Sequence, residues 1–405
     1  MATKTIFSEV KNSLGFWAIL AVFGILVLGG ALAFFYMEHH GHYVTGMNNQ
    51  IVWGMPHVFA IFLIVAASGA ANVASVGTVF GKKIYQPLGR LSAFMAASLL
   101  LGGLAVLVLD LGRPDRLIIA MTHYNFKSIF AWNIILYNGF LAILVVYLWT
   151  MMDRRKIAKA LYKPVGYANF IWRVILTSGT GSIFGFLVAR QYYDAAIMAP
   201  LFIAASYVFG TAIYSLFLLI SFKLTGRELG DAVLNRLRYT LAIFIAAVLF
   251  FETIRHLTNL YATEHHGVEE FILASGSTFT KLFWYGQILL GSLLPMFLIW
   301  CRFLRNSRLA LALAAVLAIL GGLIQIYVIL IGGQAYPLVL FPNAEVSSSF
   351  YDGVINSYSA TLPEYMLGIG GVGLALAMVL VGIKVLRLLP VSLADSVVDP
   401  HHKKA

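Results

Sequence analysis

WGMPHVFAIFLIVAASGAANVASVGTVFGKKIYQPLGRLSAFMAASLLLGGLAVLVLDLGRP, residues 53–114, holds two long apolar runs joined by a short basic turn at 81–90. A bilayer crossing needs about 20 mostly apolar residues, so the stretch reads as a membrane hairpin, span 2 over 51–80 and span 3 over 91–110. The pattern repeats outward in both directions. Further spans are expected over 15–36, 128–150, 165–189, 196–222, 239–261, 282–301, 309–331 and 363–386. A chain of 405 residues that is 60% hydrophobic, 11% charged and has a mean hydropathy of +0.86 is excluded from the water-soluble class.

The loops set the orientation. With the N-terminus in the cytoplasm, the basic clusters at 4–11, 82–90, 154–163, 223–238, 302–308 and 384–404 all fall on one side and hold 21 of the 28 Lys and Arg. Arg113, Arg116, Lys127, Arg190, Arg255 and Lys281 lie toward the other side, and Arg173 lies within a span. Cytoplasmic loops carry the excess of Lys and Arg. The fold class is therefore all-α: a polytopic integral membrane protein of about ten transmembrane helices, both termini cytoplasmic, a single transmembrane domain over 1–405 ending in a cytoplasmic tail over 387–405. The net charge of +11 sits at inner loop ends, where topology and anionic lipid account for it without nucleic acid. Residues 15–36 are long enough to span, so the first helix is expected to stay as an uncleaved anchor. The single cysteine, Cys301, leaves this chain no disulfide and no cysteine-ligated iron–sulfur cluster of its own.

Ionisable residues inside a membrane are costly, so each requires an explanation. Here they gather toward the outer side: His57 near the outer end of span 2, Asp110 and Arg113 where span 3 leaves, Glu252, Arg255 and His256 in the last turns of span 7, and Glu364 at the start of span 10. Glu364 stands at a helix N-terminus, which favours negative charge. If the four helices are neighbours, these residues form one partly buried polar pocket. The spacing Asp110-x-x-Arg113 recurs as Glu252-x-x-Arg255, each closing a hairpin with a basic inner turn. Residues three apart on a helix are neighbours, so each acid can offset its own arginine. The recurrence suggests two related four-helix units, roughly 51–189 and 196–331, flanked by spans 1 and 10. Charge neutralisation within the helix is the plain alternative for both arginines. Arg173 is placed about two turns from the cytoplasmic side, where it pairs with a carboxylate, snorkels or lines a half channel. The outer-loop clusters His39, His40 and His42, and Glu264, His265, His266, Glu269 and Glu270, read as solvated surface in preference to a metal site, and the longest connection, 332–362, carries Glu345 and Asp352.

Val79-Phe80-Gly81, then Tyr85-x-Pro87-x-Gly89-Arg90-Leu91, and then Leu109-Asp110-Leu111-Gly112-Arg113-Pro114 after an apolar span, resemble the NrfD/polysulfide reductase membrane-subunit family. Ten spans resemble its longer branch, which includes membrane subunits of hydrogenase-2 and of the sulfur-linked Dsr complex. The resemblance covers roughly spans 2 to 10. It implies an integral subunit of a respiratory redox complex in a bacterial or archaeal cytoplasmic membrane, non-catalytic alone or a quinone oxidoreductase within the complex. It also implies electron exchange with an outer-face iron–sulfur protein and further redox subunits, and a quinone, menaquinone or ubiquinone, bound near that face, with sulfur metabolism preferred as the pathway. The turn 110–114 is the piece carried over directly from the family. Depth adds the rest: His57, Glu252 and His256 as acid–base groups, and Asp110, Arg113, Arg255 and Glu364 around the head group. Two-electron quinone chemistry moves two protons and so needs such groups. Two other classes compete. A haem b cytochrome would use His57 and His256, the only histidines within spans, and four would be needed for two bis-histidine haems. A secondary transporter or proton channel would suit repeated halves.

Overall fold

The computed structural model describes residues 5–304, 306–338 and 353–398. Glu345 and Asp352, and the basic residues Lys4, Arg305, Lys403 and Lys404, lie outside the described residues. Among the described residues ten long helices follow in sequence order: α1 Leu14–His40, α2 Met55–Thr78, α3 Gly89–Leu109, α4 Ile129–Met152, α5 Lys156–Gly185, α6 Met198–Thr225, α7 Asp231–Tyr261, α8 Thr278–Trp300, α9 Arg308–Ala335 and α10 Leu362–Val385. Among the described residues, nine are long and apolar enough to cross a membrane. The tenth, α5, has 30 residues but carries Lys156, Lys159, Lys163 and Arg173, which lower its hydropathy. It packs against α2, α4 and α6 like the others.

Burial orders the helices more sharply than hydropathy does. The apolar window of α2 is 94% buried and that of α1 is 11% buried, although α1 has the higher hydropathy. Lipid tails are as apolar as leucine, so helices meet in a membrane through close packing of small residues. Gly69 of α2 abuts Ser206 and Gly210 of α6, Gly30 of α1 abuts Gly370 of α10, and Gly291 of α8 abuts Gly321 of α9. A side chain at any of these positions would collide with the backbone of the facing helix. Around the central α2–α6 contact, α2 packs on α3 and α5 while α6 packs on α7 and α9, and the α1–α10 pair leans on α3 and α2.

The segments before α1 and after α10 meet at one face. Phe7–Ser8 pairs antiparallel with Leu389–Pro390, and the Arg227 guanidinium donates to the carbonyls of Ser8, Glu9, Leu389 and Pro390. An even number of crossings requires this return. At the opposite, outer face the connections carry short helices, Leu117–Thr122 and His266–Leu273.

Candidate functional site

α2 begins with a proline in its first turn, where the missing N–H costs nothing. The preceding loop is held from α9: the Gln334 side-chain carbonyl accepts from the N–H groups of Val52 and Trp53 at 3.0 Å each, and its amide donates to the Trp53 carbonyl. Arg190 donates to the carbonyls of Gln334 and Gln50, tying the same loop to the segment after α5. One turn below, Nδ1 of His57 lies 2.7 Å from Oδ2 of Asp110. The Asp110 side chain is fully buried, whereas that of His57 is 14% exposed. The Trp53 indole stacks beside the imidazole at 6.3 Å and is itself braced by Phe130 and Phe184. Apart from the His57 contact, neither Asp110 oxygen has a hydrogen-bond partner among the described residues. Buried polar atoms are nearly always paired, so this carboxylate and imidazole have bonding capacity left for a third molecule.

The second polar group is built on α7. Glu252 Oε1 accepts from the amides of Gln287 on α8 and Gln325 on α9, each at 2.9 Å. Its Oε2 lies 3.4 Å from Arg255 and 3.7 Å from His256 Nε2. Gln287 stands in a π-helical stretch, Leu282–Leu293, a distortion that recurs at functional sites. On its other side His256 Nδ1 meets Glu269 Oε2 at 2.5 Å, and Asn259 donates to Glu269 Oε1 at 2.8 Å. The Arg255 guanidinium lies over the Tyr192 ring at 4.2 Å. Glu269 belongs to the short outer helix, and its carboxyl is held below the usual range. Burial pushes it up, but the bonds from His256 and Asn259 and the nearby Arg255 charge outweigh that.

Some expected residues lie elsewhere. α3 ends at Leu109 and Asp110 is its cap, with φ −87° and ψ 0°, so Arg113 is off the helix and exposed. Arg113 binds Asp115 through two hydrogen bonds of 3.0 and 2.8 Å, and the expected pairing with Asp110 does not form. Glu364 is buried in a capping box on α10, accepting from the Thr361 N–H and hydroxyl, the Gly46 N–H and the Tyr358 hydroxyl. Tyr358 Oη accepts from the Met55 N–H at 2.6 Å, so Glu364 steadies the start of α2 without touching His57. The residues expected to line one pocket make their direct contacts in two groups, His57 with Asp110 and Glu252 with Arg255 and His256. Among the described residues no hydrogen bond, ion pair or ring contact joins His57–Asp110 to the Glu252 network, and α6 packs on both α2 and α7. Among the described residues no ring contact joins His57 and His256.

The family model described as "Polysulphide reductase, NrfD" matches residues 43–337. This chain belongs to the NrfD family. It is 25% identical over 401 residues to the Hdr-like menaquinol oxidoreductase integral membrane subunit of Archaeoglobus fulgidus, spanning 96% of this chain and 97% of that one. It is also 25% identical over 314 residues to the protein NrfD of Escherichia coli, spanning 70% of this chain and 96% of that protein. The integral membrane subunit of menaquinone reductase from Nitratidesulfovibrio vulgaris is 21% identical over 325 residues, spanning 75% of this chain and 77% of that subunit. The family match begins at residue 43 and ends at 337, so α1 and α10 lie outside it.

Within this NrfD protein the structure adds Trp53, Glu269, Gln287, Gln325 and Gln334 to the two groups, none of which the sequence reading places at a site. A signal for Glu269 exists: Val268, Phe271 and Ile272 recur at helical spacing and are buried, so the outer segment folds back as an amphipathic helix instead of a wet loop. His39 and His40 are exposed, and among the described residues no group of three or more metal-ligating side chains forms. Arg173 is about 25 Å from the start of α5 at 1.5 Å per residue, because the helix begins in the basic segment at Lys156. It pairs with no carboxylate among the described residues, donating instead to the Ser68 carbonyl, Asn72 and Tyr207.

Proposed function

We propose that this protein is the quinone-interacting membrane subunit of a redox complex in a bacterial or archaeal cytoplasmic membrane, with the head group bound at His57 and Asp110 near the outer face. One observation carries the reading: a buried carboxylate with free acceptor capacity against a partly exposed imidazole, roofed by Trp53. The names of two relatives, a menaquinol oxidoreductase subunit and a menaquinone reductase subunit, support the substrate class. The polysulphide reductase description of the family supports a preference for sulfur compounds as the pathway. A docked iron–sulfur protein at the outer face supplies or takes the electrons. Two related four-helix units, α2–α5 and α6–α9, make up the membrane scaffold.

The residues fit such a ligand. A quinone supplies two-electron, two-proton carbonyl chemistry when bound. Facing a buried carboxylate, His57 carries its proton on Nδ1, which leaves Nε2 as an acceptor. During oxidation His57 takes one proton at Nε2 while Asp110 stabilises the resulting imidazolium, and after passing that proton to water at its exposed edge the same imidazole takes the second. In the reductive direction the same nitrogen returns both. Trp53 covers the ring and limits water access. Glu252, Arg255 and His256 form a buried polar network on α7, while Arg113 is paired with Asp115 and Glu364 is held in its capping box.

The test is electron transfer between a menaquinol analogue and the soluble partner in the purified complex. Asp110→Asn and His57→Gln should each abolish most of it while the complex assembles normally; normal turnover in both removes the site. Mass-spectrometric identification of proteins bound to a tagged copy tests the partner. An iron–sulfur protein is expected, and recovery of this polypeptide alone favours a transporter.

A further inference from the structure

A cavity of about 720 Å³ lies toward the inner face, on the side of the bundle away from His57. Its walls are apolar: Phe16 and Phe23 of α1, Phe62 of α2, Phe217 of α6, Leu323 of α9 and Leu376 of α10. Residues of α1 and α6 line it on facing sides. Phe23 and Leu376 stand nine residues from the inner ends of their helices, about 14 Å deep, near the middle of a hydrocarbon core roughly 30 Å thick. The size falls within the range of about 300–1,000 Å³ typical of ligand pockets.

The mouth is polar and cationic. Ser8, Glu9, Lys11 and Arg227 line it at the level of the inner loops. Lys384 stands beside it, donating to the Val10 carbonyl at 2.9 Å with its ammonium over the Phe16 ring. The one acid there, Glu9, is bound to Arg387 at 2.9 Å. Lys11 is exposed, and among the described residues it has no hydrogen-bond or ion-pair partner. The mouth therefore presents net positive charge without a histidine or a free carboxylate to move protons.

We propose that this cavity binds one anionic phospholipid of the inner leaflet, an acyl chain lying between α1 and α6 and its phosphate meeting Lys11, with the charge of the backbone-bound Arg227 beside it. An isoprenoid tail from the proposed quinone site fits less well. At 3.6 residues per turn, Phe62 lies about 140° round α2 from His57, facing away from the His57–Asp110 pair. The charge at the mouth matches phosphate, and juxtamembrane Lys and Arg attract anionic head groups. The bound lipid fills the space that packing leaves open and couples the peripheral α1–α10 pair to the bundle.

The full-length protein, stripped to lipid-free detergent, is titrated with phosphatidylglycerol and in parallel with phosphatidylcholine, and retained lipid is counted by native mass spectrometry. One phosphatidylglycerol per protein is expected, held more tightly than phosphatidylcholine. Lys11→Glu should weaken it about fivefold or more, and Leu376→Trp, which fills the cavity, should abolish retention in a protein that stays monodisperse. If that variant does not fold, Leu216→Trp fills the cavity from the α6 wall. Equal retention of the two lipids, phosphatidylglycerol retention unchanged by Lys11→Glu and the filling variant, or release of a quinone from this cavity would each overturn the proposal.

Discussion

His57–Asp110 and Glu252–His256 are both acid–imidazole pairs near the outer ends of buried helices, yet they are finished differently. Asp110 has one close partner and two oxygens without a hydrogen bond, while Glu252 sets Oε1 on the amides of Gln287 and Gln325 and leaves Oε2 without a hydrogen bond, 3.4 Å from Arg255 and 3.7 Å from His256. The His57 side chain is 14% exposed beneath a single indole, and that of His256 is 8% exposed among Glu269, Phe283 and Tyr192. A site that handles an outside molecule leaves bonding capacity unfilled. A network that holds helices together ties its acid to neighbouring helices, as Gln287 and Gln325 tie Glu252 to α8 and α9.

The strongest way to break this comparison is to neutralise one acid from each group. Asp110→Asn should lower quinone-linked electron transfer by about 100-fold or more, the usual weight of a positioned acid–base group. Glu252→Gln keeps an oxygen that can accept from Gln287 and Gln325, and it should leave most turnover intact. The measurement is single-turnover oxidation of a menaquinol analogue by complexes of equal subunit composition. An equal loss in both variants would mean that the two groups act as one site.

Stability sharpens the contrast in the opposite sense. Glu252→Ala strands two buried amides and leaves the Arg255 charge unpaired in a low-dielectric interior, which costs roughly 3–5 kcal/mol where a buried pair is broken. Asp110→Ala removes an acid that satisfies nothing except His57 and should cost much less. Thermal unfolding in one detergent, followed by loss of monodisperse protein, separates the two. A larger loss from Asp110→Ala would reverse the assignment of roles.

Spans are easier to read from this sequence than pairings, for a physical reason. Hydropathy and the placement of Lys and Arg determine crossings locally, so even α5, which falls short on composition, is legible from its apolar second half. His57, Asp110 and Glu252 stand out as ionisable residues among apolar ones. Partners depend on where helices stop and which helices touch. Asp110-x-x-Arg113 implies a pair only if α3 continues, and it stops at Leu109. Depth alone sets Glu252 and His256 opposite His57, and depth carries no information about lateral position. Gln287 and Gln325, neutral amides within apolar spans, are the hint in the sequence that Glu252 is surrounded.

Acidification probes the closed network at its outer edge. Glu269 has its carboxyl lowered in the fold, so its contribution to stability is fully present above the ordinary glutamate value of about 4.3 and is lost as pH falls from there through the lowered value. Melting of the detergent-solubilised protein should therefore drop over that acidic window. Glu269→Gln should start lower at neutral pH and show a shallower decline. An identical pH profile in the variant would show that Glu269 does not carry the acid sensitivity of the α7 end.

The smallest expected effect tests the repeated tetrapeptide itself. Arg255 is fully buried one turn from Glu252 and contacts Tyr192 and Met198, because α7 runs on to Tyr261, well past the pair. Arg113 has the same spacing from its acid but lies beyond the helix end, exposed and paired with Asp115. Exposed ion pairs contribute about 0–1 kcal/mol, so Arg113→Ala should change neither turnover nor melting measurably, while Arg255→Ala should leave a poorly folded protein. If Arg113→Ala instead slowed quinone turnover without loss of assembly, the outer turn would have to close over the His57–Asp110 pair when the partner subunit docks. The two acid-x-x-Arg motifs would then differ in when they form, and the helix end at Leu109 would be the hinge that allows it.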